Sequence, residues 1–159
     1  MFIKAPACLT LLVNLSSSAL GLTTNTVEIS DHTAVEAALA AYDLLSTDAQ
    51  AELVTEKTLL DSLLVEIVRL EAVQTEISTF TTDHSVALAF TTTTVTIDDK
   101  ADVEAAITAY EALSAAAKAE LTIEKTLIYN LLSKIEEYEE EISTFRADHS
   151  EVLILTVDT

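Results

Sequence analysis

The chain has 159 residues, half of them apolar, and 27 acidic against 8 basic side chains give a net charge of −19. That balance argues against nucleic acid and anionic membrane surfaces as partners, since both call for clustered Lys and Arg, and the apolar half argues against disorder. One Gly (Gly21), one Pro (Pro6) and one Cys (Cys8) leave no Gly-rich phosphate cradle and no disulfide framework or Cys-based zinc site within one chain.

The opening segment, Met1–Leu20, reads differently from the rest. A cationic start at Lys4 is followed by the apolar run APACLTLLVNL and then SSSALG, with small residues at Ser17 and Ala19. This is the three-part pattern of a secretory leader, with cleavage expected after Ala19. The run is shorter than the roughly 20 apolar residues a membrane-spanning helix needs. A second reading stays open. SSSALGLTTNTV aligns with HSVALAFTTTTV further on, so this segment also reads as the tail of a preceding repeat.

From Val27 the chain repeats. Shifted by 68, Val27–Ile67 falls on Val95–Ile135 with 22 of 41 positions identical. The stretch EISTF recurs at Glu76 and Glu141, where the offset has dropped to 65. Three residues are therefore lost after Ile67, inside a long helix. That is close to one turn of 3.6, a phase change of about 60°, which a wide apolar stripe tolerates. The expected units are 27–94 and 95–159, after a leader at 1–20.

Within each unit a first helix is expected after Ile29 or Ile97, capped by Ser30 or Asp98. Val35, Ala38, Leu39, Tyr42 and Leu45 form its apolar stripe, as do Val103, Ala106, Ile107, Tyr110 and Leu113 in the second copy. A short helix capped by Ser46 or Ser114 runs to Leu53 or Leu121. A long third helix carries a heptad seam: Ile128, Leu131, Ile135, Tyr138, Ile142 and Phe145. The matching seam in the first copy is Leu60, Leu63, Ile67, Leu70, Gln74 and Ile77. DHSVALAF at 83–90 and its counterpart at 148–155 predict a short junction helix. TTTTVTI then reads as an extended linker, with Val95 and Ile97 packing on the next helix. The fold class is all-α: two tandem small helical bundles, three helices plus a junction helix each. A unit of this size buries only about 60% of its unfolded surface and is marginal alone. Stacking two would support both.

No catalytic, cofactor-binding or metal-ligating residues are expected. His84 and His149 recur in DHS, one in each copy, and read as polar residues at a junction. His32 stands where the other copy has Lys100 and reads as exposed. Glu136–Glu141, EEYEEE, lacks the Gly turn and alternating oxygens of a calcium loop and reads as a solvated face. Tyr42 and Tyr110 read as packing residues with the hydroxyl at the rim. No Ser sits in a nucleophile elbow.

TVTIDDKADVEAAITAYEALSAAAKAELT, in the second copy, resembles a helical repeat module of bacterial cell-surface and cell-wall proteins. Asp99, Lys100, Val103, Ala106, Tyr110, Leu113, Ser114, Lys118 and Leu121 carry the likeness. Asp31, Val35, Ala38, Tyr42, Leu45, Ser46 and Leu53 carry it in the first copy, where His32 and Gln50 replace the lysines. The resemblance implies small three-helix modules used as spacers beside catalytic, adhesive or anchoring domains; no cofactor is expected. The function expected is an acidic, non-catalytic spacer or stalk of an exported or cell-surface protein, its partners being neighbouring repeats or domains. The alternative is an interaction module binding a protein or wall polymer through a helix face or inter-repeat groove. A third reading, an intracellular acidic assembly factor, requires an uncleaved leader.

Overall fold

A computed structural model describes residues 19–150. The leader, apart from its last two residues, and the end of the second copy (151–159) lie outside the described residues. Described residues form seven α-helices and two 3-10 turns, with no strand: α1 His32–Asp43, α2 Thr47–Glu52, α3 Val54–Asp83, α4 Ser85–Ala89, α5 Lys100–Ala112, α6 Ala115–Glu120 and α7 Thr122–Asp148. The all-α expectation holds.

The chain packs as two units, Met1–Ala72 and Val73–Thr159. The boundary falls inside α3. Residues 73–94 therefore belong to the first copy by sequence period and to the second unit by packing. α3 has 30 residues and α7 has 27. Glu71 pairs with His32 and Glu139 with Lys100, so the offset of 68 persists to position 71. The three lost residues thus fall within 72–75, at the boundary between packing units.

In the first unit, the core joins Ala19, Val27, Val35 and Ala38 to Leu60, Leu63 and Ile67 of α3. Burying each of the larger side chains stabilises by roughly 1.5–3 kcal/mol relative to exposure. The second unit has two clusters. One joins Val95 and Val103 to Leu131 and Ile135 of α7. The other joins Phe80 and Ala87 to Ala106, Tyr110, Leu121 and Ile128.

Three expectations are corrected. Ser30 and Asp98 are not caps. They lie inside 3-10 turns, Ile29–Asp31 and Ile97–Asp99, which move helix entry back to Glu28 and Thr96. There the carboxylates of Asp31 and Asp99 accept the Glu28 and Thr96 backbone N–H at 2.9 and 2.8 Å. The threonine run is a turn, not an extended linker. Thr91 C=O accepts the Val95 N–H at 2.9 Å, and the Thr94 hydroxyl accepts the Thr91 N–H at 2.9 Å. Hydroxyls bonding to nearby backbone win over the β-propensity of the run. Thr23–Val27 repeats both bonds, at 2.9 and 3.0 Å. Finally, the seam is buried only at Ile128, Leu131 and Ile135; Tyr138 is half-buried, and Ile142 and Phe145 are exposed. At 1.5 Å per residue α5 spans about 20 Å and α7 about 40 Å, so α5 covers only half of α7.

Candidate functional site

Ser46 and Ser114 cap α2 and α6 as expected, each hydroxyl accepting the N–H three residues on, from Ala49 at 3.4 Å and Ala117 at 3.2 Å. Tyr42 and Tyr110 point into the packing and donate their phenolic hydrogens to the Gln50 and Lys118 carbonyls at 3.1 and 3.3 Å. Each bond ties the first helix of its copy to the last turn of the short helix. Carbonyls at helix ends lack part of their helical partners; the Gln50 carbonyl also accepts the Leu53 N–H at 3.1 Å.

The second unit holds an apolar node built around an aromatic pair. Phe80, at the end of α3, meets the Tyr110 ring edge-on, with centroids 6.2 Å apart and planes at 67°. Ala87 of α4 and Leu121 complete the node, and Ile77 and Leu113 pack against it. Beside it, the Glu76 carboxylate accepts the Ser114 backbone N–H at 2.9 Å. The bond favours the charged form, so the Glu76 carboxyl titrates below its ordinary value. An acid at a helix N-terminus also complements the positive end of the helix dipole.

Of the candidate residues, His84 lies against the Phe80 ring, centroids 5.3 Å apart. His149 stacks on Phe145 at 4.4 Å and donates from Nδ1 to the Phe145 carbonyl at 3.0 Å. Among the described residues no group of three His, Cys, Asp or Glu converges to hold a metal ion. Within Glu136–Glu141, Glu137 accepts from Lys134 at 2.7 Å and Glu139 from Lys100 at 2.7 Å. Lys134 also lies over the Tyr138 ring, 4.7 Å from its centroid.

His32 is not the free surface residue expected. It is half-buried, with Nδ1 2.7 Å from Glu71 and Nε2 3.3 Å from Glu36. The hydrogen bond to Glu71 is the main cause of its raised pKa, which desolvation opposes. Lys100, its counterpart, bonds Glu139 at 2.7 and 2.9 Å. Both copies thus place a basic side chain against the same glutamate of the long helix. The signal was present in the sequence, since both members recur at the offset of 68. The Phe80 node and the Glu76 cap carried no such signal.

No family model matches the chain, and neither the curated proteins nor the solved structures hold a match to it. Among the described residues no helix is long and apolar enough to cross a membrane.

Proposed function

We propose that this chain is a non-catalytic, acidic spacer built from two tandem helical repeat modules in series, belonging to an exported or cell-surface bacterial protein. The observation that supports it is where the shared residues go. Val27, Val35, Ala38, Leu63 and Ile67 build the first core, and their counterparts Val95, Val103, Ala106, Leu131 and Ile135 are buried in the second unit. Tyr42, Ser46 and Asp31 close helix ends or entries, as Tyr110, Ser114 and Asp99 do. Much of the identity between the copies lies at these folding positions. Two exposed valines of α3, by contrast, are not shared. Val65 is 71% and Val68 53% exposed, and the second copy has Ser133 and Glu136 there.

Those two valines, one helical turn apart on α3, favour the second reading, a helix face that binds a protein or wall polymer. Incubating the full chain with purified cell-wall sacculi and with envelope extract decides between the two. The spacer stays in solution; saturable retention that Val65→Ser and Val68→Ser abolish supports the interaction module.

Export is proposed with cleavage after Ala19. Ala19 is fully buried in the first core, as its counterpart Ala87 is in the second unit, which favours reading Ser16–Thr26 as the tail of a repeat. N-terminal sequencing of the product from a bacterial host separates them. A chain beginning at Leu20 supports export, and a retained Met1 sinks it.

A further inference from the structure

We propose that one copy of this chain docks on another head to tail, the end of α7 of one molecule seating on the α1–α2 face of the next. The template lies within the second unit, where the end of α3 seats on α5 and α6. Its inserting side consists of Glu76, Ile77, Phe80 and His84; its receiving side consists of Tyr110, Leu113, Ser114, Ala117 and Leu121.

Each side has a second version elsewhere in the chain, residue for residue. Sixty-five positions on from the inserting side stand Glu141, Ile142, Phe145 and His149. Sixty-eight positions before the receiving side stand Tyr42, Leu45, Ser46, Ala49 and Leu53. All nine residue types are retained, and both second versions are open. Phe80 is 3% exposed and Phe145 58%. Tyr110, Ala117 and Leu121 are buried, whereas Tyr42, Ala49 and Leu53 are only half-buried and Leu45 is 40% exposed. Deeper in the core the difference vanishes, since Val35, Ala38, Leu60 and Leu63 are as buried as their counterparts. Burial is missing at the positions that an inserted phenylalanine covers.

The two faces are different surfaces, so the contact is heterologous. It leaves an open face at each end of a pair and continues unless the geometry closes a ring. Phe145 takes the place of Phe80 against the Tyr42 ring, and Glu141 reaches the Ser46 N–H. The net charge of −19 per chain opposes association at low salt and is screened at about 0.5 M.

Sedimentation velocity of the full chain in about 0.5 M salt tests the proposal, with circular dichroism as the check on folding. The expected result is a mass that rises with concentration past the dimer. Phe145→Glu disables the inserting face and Leu45→Glu the receiving face, both at exposed positions. Each variant alone is expected to weaken association about tenfold or more. Mixed, they pair through the one intact combination and stop at a 1:1 dimer. Three outcomes overturn the proposal: a monomer at all concentrations, as when Met1–Ser18 of the same chain occupies the receiving face; a dimer that both variants retain; and a mixture that does not pair.

Discussion

Phe80 and Phe145 end the same five-residue stretch, EISTF, on helices of the same make. Phe80 is packed against Tyr110, Ala87 and Leu121, while Phe145 is exposed and has the His149 ring beside it. The helix around each is the same, so the difference comes from what lies across from it. α4 and the α5–α6 corner supply that for Phe80. Burial is a property of the pair of surfaces, and a sequence read along one helix does not contain it. The same contrast separates Tyr110, buried under Phe80, from the half-buried Tyr42.

The largest test of that contrast is truncation of the two phenylalanines. Phe80→Ala removes a buried aromatic and leaves a cavity, so chemical denaturation should show a loss of about 3–5 kcal/mol. Phe145→Ala, measured at low salt and low concentration, should stay within about 0.5 kcal/mol of wild type. Equal losses would mean that Phe145 is covered in solution and would break the comparison at its root.

The serine caps come next, and here the copies should agree. Ser46→Ala and Ser114→Ala each remove a hydroxyl that accepts an N–H at the start of a short helix. Each should cost about 1 kcal/mol. A cost confined to Ser46 would mean that the Glu76 carboxylate, whose bond to the Ser114 backbone N–H survives the substitution, rather than the hydroxyl, organises the second helix start.

The tyrosines should differ modestly. Tyr110→Phe leaves the Lys118 carbonyl without its phenol in a buried setting, a loss of about 1 kcal/mol. Tyr42→Phe leaves the Gln50 carbonyl with the Leu53 N–H it also accepts, so its loss should be the smaller of the two. Denaturation midpoints at equal m-value report both.

How much of this was legible follows from distance along the chain. The stripes at Val35, Ala38 and Leu63 and the Ser46 and Ser114 caps are local patterns, helical in period or reaching from i to i+3, and they appear in the structure where the sequence put them. The threonine turn was misread because strand propensity and hydroxyl–backbone bonding pull the same residues in opposite directions. The seam was followed too far, because its rhythm continues past the end of the helix that covers it. The Glu76 bond to Ser114 and the Phe80 node join elements with no shared pattern, so nothing local announced them. The His32–Glu71 pair lies between: its members are far apart along the chain, yet recoverable from the repeat arithmetic, since Lys100 and Glu139 keep the same separation.

That pair gives the smallest and most specific prediction. In the second copy the cation is Lys100, held charged by Glu139 with its pKa raised above the ordinary 10.5, so nothing changes there between pH 6 and 8. In the first copy it is His32, raised above the ordinary 6.5 chiefly by the Glu71 hydrogen bond, with Glu36 adding to it. A raised folded-state value means that the folded protein holds the proton more tightly than the unfolded chain. The stabilisation is therefore fully present below about 6.5 and fades as pH rises through the folded value. The melting temperature of wild type minus that of His32→Lys should fall across this window, which cancels the general effect of the acidic surface common to both proteins. The His32 ring signals in NMR should titrate above the ordinary value and move back toward it in Glu71→Gln. Partial exposure of both side chains keeps the effect small. A flat difference curve alongside an ordinary titration would show that the two copies, despite the shared offset, use this position differently.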